Sequence, residues 1–280
     1  MDKNLYTKNN YIIDIPLLIN ASITEYDIGA ANITMLFSYG LITQDEYLAY
    51  YRMDKSMREI SIGKRGRNPD GTLDEYGIKC QKCISEGIMN ARKLLIETNN
   101  IKDESIVRIA KDAVYVNGRV LENISFDLNN NGVLCVFVPK NYYNIMINLN
   151  KMTTILINDN PMTDNLKVDV VGINNKLLYL HQPFLEFICN LVSNVQRSGK
   201  EYAFNIYNSF YEEYINMRLP IEYYREFNAN SGYRIKYSER YTIDNANESD
   251  KDKIDINYNL SILRTLYSAI LDLWNYRDGV

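Results

Sequence analysis

Two aspartates stand where β-rich runs of the sequence end. Asp27 closes the run "SITEYDI", and the residues that follow it, "GAANITMLFSYG", place apolar side chains at helical spacing. Asp112 lies between the two β-rich runs of "SIVRIAKDAVYVNG", which predicts a β-hairpin with Asp112 at or beside its turn. If these strands are neighbours in one sheet, both carboxylates emerge at the same edge. Because two carboxylates repel unless a cation lies between them, and Mg²⁺ prefers carboxylate and phosphate oxygens, the pair predicts metal-assisted phosphoryl transfer.

Each aspartate alone also has a simpler structural explanation. Asp is a favoured helix N-cap because its side chain accepts first-turn N–H groups, so Asp27 alone is typical of a helix start. Asp is common in turns, so Asp112 alone is typical of a hairpin loop. The metal-site prediction therefore depends on the two residues together.

The order of the predicted elements favours an α+β fold over a doubly wound parallel sheet. Strands over 10–28 lead into a helix, and Thr43 with Glu46 predicts a capping box at the start of a second helix. Residues 62–77, "IGKRGRNPDGTLDEYG", hold four glycines, which predicts an exposed, mobile basic loop before a helix ending at Asn99 and Asn100. After the hairpin we expect short strands within 123–173, helices over 182–218, a polar irregular stretch at 226–255 and a last helix. This order predicts an antiparallel sheet backed by helices.

Composition excludes several classes of protein. The chain has 280 residues and a net charge of −4, so it lacks the strong overall positive charge typical of many nucleic-acid-binding domains, although a local basic groove is compatible with it. The sequence contains no run of about 18 apolar residues, the length that would predict a membrane span. The first residues lack the apolar stretch of a signal peptide. We therefore expect no membrane partner and a cytoplasmic location.

The cysteines and the single histidine give little support to other chemistries. Cys80 and Cys83 form one C-x-x-C without a second pair at zinc-ribbon spacing, which favours reduced thiols over a structural zinc. His181 has no plausible Ser or Cys partner, which argues against a hydrolase with a nucleophilic side chain. A metal-dependent nuclease would need a cluster of three or four carboxylates that the sequence does not display.

The two aspartate segments resemble motifs of palm-domain nucleic-acid polymerases. "EYDIGAANITML" is similar to motif A, and "RIAKDAVYV" is similar to motif C, with family B DNA polymerases the most similar family and a likeness shared with small phage-encoded proteins. The resemblance covers about residues 20–175. It implies that Asp27 and Asp112 are the catalytic ligands of Mg²⁺ or Mn²⁺. It also implies that backbone N–H groups of the next turn bind the nucleotide triphosphate, as a helix N-terminus can; these residues are Ile28, Gly29, Ala30, Ala31 and Asn32.

The resemblance also assigns residues that recognise the rest of the nucleotide. Asn32 stands where DNA polymerases usually carry a bulky residue against the ribose 2′-hydroxyl, so the choice between deoxyribonucleotides and ribonucleotides stays open. Basic residues between the motifs would neutralise the triphosphate; the candidates are Arg58, Lys64, Arg65, Arg67, Lys79 and Lys82. The segment 167–173 is loosely similar to a template-side stretch beyond motif C.

By the same resemblance, residues 1–180 form a palm-like domain with a fingers-like insertion at about 43–100, and 181–280 form a mainly helical, thumb-like region. The implied function is template-dependent extension of a primer, with a primer–template, a nucleoside triphosphate and other replication proteins as partners, in the cytoplasm of a bacterial host. The alternative is a palm that has lost activity and serves as a nucleic-acid-binding or assembly subunit of a phage complex. Lys111, where family B enzymes often carry another acid, favours that alternative.

Overall fold

The computed structural model describes residues 4–15, 17–148, 154–160, 165–171, 187, 190–191, 200–216, 218–220, 226–228, 232–234, 263–264 and 267. The chain divides into two compact units. The first contains Met1–Ile13 and Ser22–Tyr142, and the second contains Asp14–Ala21 and Tyr143–Val280.

A six-stranded sheet forms the centre of the first unit. Its strands are β1 (Asn10–Ile12), β3 (Ile23–Ile28), β4 (Ile106–Ala110), β5 (Ala113–Asn117), β6 (Ser125–Asp127) and β7 (Leu134–Tyr143). They lie in the order β1-β4-β5-β3-β7-β6. The pairs β1–β4, β4–β5, β3–β5 and β6–β7 are antiparallel.

Four helices accompany this sheet: α1 (Ala31–Ser38), α2 (Gln44–Arg52), α3 (Lys55–Lys64) and α4 (Glu75–Thr98). Side-chain caps explain where three of them begin. Thr43 and Glu46 form a capping box on α2, Asp54 caps α3 and Asp74 caps α4. Short 3₁₀ turns cover Leu5–Thr7 and Asp103–Ser105.

The two faces of the sheet differ because successive side chains of a strand point to opposite sides. The back face carries apolar residues that pack with α1 and α4 in one buried cluster. Its central members are Tyr26, Ile28, Ile109, Val114 and Val116. The front face is the opposite side of the same strands and carries Glu25, Asp27, Arg108 and Tyr115.

The second unit contains a four-stranded antiparallel sheet, a helix and a strand pair. The sheet consists of β2 (Leu17–Leu18), β8 (Ile145–Asn148), β9 (Thr154–Asn160) and β10 (Asn165–Val171), in the order β10-β9-β8-β2. The helix is α5 (Lys200–Ile215), and β11 (Glu226–Asn228) pairs with β12 (Gly232–Arg234).

The structure confirms the predicted α+β class with antiparallel sheets, the strand before Gly29, the hairpin around Asp112 and the capping box. The loop predicted over 62–77 is wrong at both ends, because α3 continues to Lys64 and α4 begins at Glu75. The irregular stretch predicted over 226–255 is wrong where β11 and β12 pair. His181, Cys189 and most of the predicted last helix lie outside the described residues, and the domain boundary near 180 stays a prediction.

No helix among the described residues is long and apolar enough to cross a membrane.

Candidate functional site

Strand pairing brings the two predicted aspartates together. Asp27 lies opposite Ala113 in the β3–β5 register, so it is beside the hairpin turn that carries Asp112. The two carboxyl groups are close enough to interact electrostatically. The predicted position of both aspartates at the same edge of one sheet is therefore confirmed. Their catalytic role stays a prediction.

Asp112 is held in an unusual electrostatic setting. Burial, reinforced by the nearby charge of Asp27, raises the pKa of its half-buried carboxyl to about 6, whereas the charge of Lys55 opposes the shift. Such a raised pKa is typical of two carboxylates that share one site without a cation between them.

A lysine from a distant strand joins the pair. The Nζ of Lys140, on β7, donates to Oδ2 of Asp27 at 3.0 Å, although the two residues are 113 positions apart in the chain. This hydrogen bond raises the pKa of Lys140, and the charges of Asp27, Glu25 and Asp112 act in the same direction. This end of the strands thus holds an ion pair between Asp27 and Lys140, with Asp112 beside it.

The acids line a cavity of about 600 Å³ in the first unit. Its wall combines both acids, the turn between β3 and α1, and part of α3. The lining residues are Asp27, Ile28, Gly29, Ala30, Ala31, Asn32, Lys55, Arg58, Glu59, Ile88, Lys111, Asp112, Val138 and Lys140. Four of these side chains are basic, so the cavity offers both carboxylates and cations to a ligand.

The turn between β3 and α1 shows that Asp27 is not a helix cap. The N-cap of α1 is Ala30, which has a left-handed backbone (φ 49°) and provides no side-chain acceptor. The structural alternative for Asp27 is therefore wrong. Because no side chain caps α1, its first-turn N–H groups have no side-chain acceptor at the cavity wall.

Asn32 connects this turn to α3. Its Nδ2 donates to Oε2 of Glu59 at 2.7 Å, and both residues line the cavity. The residue that the sequence analysis assigned to the nucleotide sugar is therefore paired with a carboxylate from the neighbouring helix.

The predicted basic residues divide into two groups. Arg58 lines the cavity, whereas Lys64, Arg65, Arg67, Lys79 and Lys82 are not among its lining residues. Arg65 instead forms an ion pair with Glu46 at 2.7 Å, and Arg67 donates to the carbonyls of Gly63 and Gly71. The sequence analysis missed Lys55 and Lys140 as members of the site. Lys55, one turn before Arg58, could have been found from helical spacing, but Lys140 has no local signal.

Asp27 and Asp112 are the residues that could hold a metal ion. Hard divalent cations prefer carboxylate oxygens and complete their shell with water and substrate oxygens. The negative charge of Asp27 helps to raise the pKa of Asp112, so a cation bound between the two acids would relieve their repulsion. The described part of the chain contains no group of three or more His, Cys, Asp or Glu side chains that could hold a metal ion, either at this site or elsewhere. The donor set fits Mg²⁺ or Mn²⁺ only if other oxygens complete the shell.

A comparison with protein families gives a match over nearly the whole sequence. The family model described as Bacteriophage PBS1 gene 130 protein matches residues 1–272. No curated protein matches the sequence. Among solved structures, the chain is similar to a family B DNA polymerase from the hyperthermophilic archaeon Pyrobaculum calidifontis, with 9% identity and a TM-score of 0.41. The alignment covers 94% of this chain and 46% of the polymerase, so the chain spans a little under half of that protein's length.

Proposed function

The chain belongs to the Bacteriophage PBS1 gene 130 protein family, and from this premise we propose that it is a phage nucleotidyltransferase of the palm type. In this proposal it extends a nucleic-acid primer on a template by metal-assisted phosphoryl transfer. The observation that carries the proposal is that the β3–β5 pairing places Asp27 and Asp112 together on the wall of one cavity with basic side chains.

Asp27 and Asp112 would hold Mg²⁺ or Mn²⁺, which when bound would activate the attacking hydroxyl and stabilise charge on the phosphate. Above pH 6 the Asp112 carboxyl is mainly ionised and available as a ligand, because its pKa is about 6. In the reaction the primer 3′-hydroxyl oxygen bonds to the α-phosphorus of the nucleotide, the bond to the β-phosphate oxygen breaks, and pyrophosphate leaves.

The basic part of the cavity fits the triphosphate. Lys55 and Arg58 lie one turn apart on α3 and face the cavity that the two acids line. The uncapped N-terminus of α1 adds N–H donors, which favour anionic oxygens. We propose that these groups bind the phosphates and that Asn32, oriented by Glu59, contacts the sugar.

A specific observation favours a second candidate, a nucleic-acid-binding subunit without catalytic activity. Lys140 already neutralises Asp27 at 3.0 Å. A carboxylate that has a permanent lysine partner needs no metal to be stable. In this second proposal the basic cavity binds phosphate groups of a nucleic acid or nucleotide without chemistry.

A primer-extension assay separates the two candidates. The full chain is incubated with Mg²⁺ or Mn²⁺, a primed template and labelled deoxyribonucleotides or ribonucleotides. The variants are Asp27→Asn and Asp112→Asn, with Asp45→Asn as a control, since Asp45 is exposed on α2 and does not line the cavity. Extension by the wild type and the control, but by neither site variant, supports the enzyme.

Binding measurements on the same proteins complete the test. If the folded wild type extends no primer under any of these conditions but binds primer–template, the second candidate is favoured. If it neither extends nor binds, both proposals are overturned.

A further inference from the structure

Arg92, on α4, is a wholly buried arginine that donates to two neighbouring segments, residues 8–9 and the hairpin turn at Lys111. Its side chain is 0% exposed. Nη1 donates to the carbonyl oxygens of Lys8 at 2.6 Å and Lys111 at 2.8 Å, and Nη2 donates to Oδ1 of Asn9 at 3.2 Å. A buried arginine is rare, because removing its charge from water is costly unless the surroundings compensate.

The turn that Arg92 contacts is the one that precedes Asp112. Lys111 has a left-handed backbone (φ 54°), which is uncommon for a residue with a side chain. Its N–H donates to the carbonyl of Asn9 at 2.8 Å, and its carbonyl accepts from Arg92. Both backbone polar groups of Lys111 are therefore fixed, and the peptide that leads into Asp112 has a defined orientation.

Arg92 also acts on Asp112 through its charge. Burial lowers the pKa of Arg92 to about 10, and the negative charge of Asp112 opposes that shift. The guanidinium is therefore still protonated at neutral pH. It provides a positive charge from the α4 side, close enough to interact with Asp112, without lining the cavity itself.

We propose that Arg92 is the positioning residue of the carboxylate pair: it fixes the Lys111–Asp112 turn and so places the Asp112 carboxyl against Asp27. The inference rests on the proposed function where it concerns metal binding. An apolar side chain of similar volume would fill the same space without the desolvation of a charge. In addition, Nε of Arg92 is buried with no acceptor among the described residues. The guanidinium orientation that lets Nη1 reach the turn therefore leaves the Nε–H group without a hydrogen bond.

Three variants of the full chain test this role. Arg92→Met removes the charge and every donor, and leaves the carbonyls of Lys8 and Lys111 without their partner. Arg92→Lys keeps a charge and part of the donors. Asn99→Ala is the matched control, because Asn99 is a buried polar residue at the end of the same helix. Its Nδ2 donates to the carbonyl oxygen of Asn123 at 2.7 Å, and its Oδ1 accepts from the N–H of Asn123 at 3.2 Å. Neither hydrogen bond involves the hairpin turn.

The first measurement is Mn²⁺ affinity by isothermal titration calorimetry, with urea unfolding on the same samples. We expect Arg92→Met to bind Mn²⁺ roughly 10–100-fold more weakly than the wild type, the range typical for loss of a residue that orients a metal ligand. Arg92→Lys should recover part of that loss. Asn99→Ala should unfold at lower urea and keep wild-type affinity. Wild-type affinity in folded Arg92→Met overturns the proposal.

The second measurement, amide hydrogen exchange at residues 109–113, does not depend on the proposed function. If the wild type binds no Mn²⁺, the proposed metal site fails, and the exchange rates still decide the role of Arg92. Faster exchange in Arg92→Met, partly restored in Arg92→Lys and unchanged in Asn99→Ala, supports positioning of the turn. Equal exchange rates in Arg92→Met and Asn99→Ala would mean that Arg92 stabilises the fold in general and does not position the turn, and they would overturn the proposal. If Arg92→Met does not fold, the comparison of Arg92→Lys with Asn99→Ala gives the same decision.

Discussion

The two faces of the six-stranded sheet are built from alternate residues of the same strands, and their chemistry is opposite. On the back face Ile109 lies opposite Val114, and both are wholly buried in the apolar cluster with α1 and α4. On the front face their chain neighbours Arg108 and Tyr115 lie opposite each other and are also buried, although both are polar. Burial on the back face is stabilising by itself, whereas burial on the front face needs partners.

Several polar groups of the front face interact with one another. Tyr115 hydrogen-bonds Glu25, and burial, reinforced by the charge of Glu25, raises the pKa of Tyr115 well above its ordinary value. Asn141 donates to Oε2 of Glu25 at 2.5 Å. Such a network contributes less stability than an apolar core of the same volume, but it fixes polar side chains in defined positions. The comparison indicates that the back face supplies stability and the front face supplies an ordered polar surface beside Asp27.

The largest expected stability effect is on the back face. Ile109→Ala should destabilise the protein by about 2–5 kcal/mol, because it removes buried methyl groups and leaves a cavity in a cluster that includes α4. Urea unfolding measures the loss. Val120→Ala is the control, since Val120 is 69% exposed and should change stability by less than about 0.5 kcal/mol. If Ile109→Ala, still folded, weakened Mn²⁺ binding as much as Asp112→Asn, the division of roles between the faces would be wrong.

A smaller effect of opposite sign is expected at the site. The pKa of Asp112 is about 6 in the folded chain against an ordinary value of 3.8, so the folded state binds this proton more tightly than the unfolded state. The stability contributed by the protonated form is fully present below pH 3.8 and is lost as pH rises to about 6. Asp112→Asn does not titrate. Without added divalent cations, the variant should gain stability relative to the wild type between these pH values, and the gain should be constant at higher pH.

Asp127→Asn serves as the opposite control for that experiment. Asp127 accepts backbone N–H groups of Gly132 and Asn131, which hold its pKa below the ordinary 3.8. Its contribution to stability is therefore present above pH 3.8 and lost as pH falls through the folded pKa. Asp127→Asn should be less stable than the wild type at neutral pH, with the difference disappearing in acid. The same sign for both variants would contradict the electrostatic assignment of Asp112.

A moderate effect on ligand binding should separate two basic residues of α3. Arg58 lines the cavity and Lys64, at the end of the same helix, does not. Arg58→Ala should weaken nucleoside triphosphate binding by roughly tenfold, since a hydrogen bond to a charged group contributes about 1.5–3 kcal/mol. Lys64→Ala should bind as the wild type does. Fluorescence titration with a labelled nucleotide measures both, and wild-type affinity in Arg58→Ala would remove Arg58 from the phosphate site.

The features that the sequence predicted correctly depend on short-range patterns. Alternating residues define β3 and the hairpin, and the Thr43–Glu46 capping box defines the start of α2. Asp27 and Asp112 are close because Asp27 lies near the end of β3, Asp112 lies in the turn before β5, and β3 pairs with β5 in one sheet. Local propensity and hairpin pairing are enough to fix β3, the hairpin and the start of α2. The proximity of the two aspartates also requires the long-range pairing of β3 with β5, which the sequence prediction assumed.

The features that the sequence missed depend on long-range pairing or on backbone conformation. Lys140 reaches Asp27 only because β7 lies beside β3, and nothing local to either residue indicates that neighbour. The cap of α1 is Ala30 in a left-handed conformation, although alanine is a poor N-cap by residue type. The basic segment after Ile62 suggested a phosphate-binding loop, but Arg65 is already paired with Glu46. Charge counted along a sequence does not reveal which charges are already neutralised in the fold.

The smallest expected effect tests where the site ends. Lys82 is exposed on α4, the helix that packs on the back of the sheet, and its Nζ lies 3.9 Å from Glu86. An exposed pair of this kind contributes at most about 0.5 kcal/mol, so Lys82→Ala should change urea unfolding very little. It should also leave nucleotide affinity unchanged, because the residue does not line the cavity. A tenfold loss of nucleotide binding in Lys82→Ala, beside normal unfolding, would mean that ligand contacts extend along α4 beyond Ile88, and the confinement of the nucleotide to the cavity would have to be abandoned.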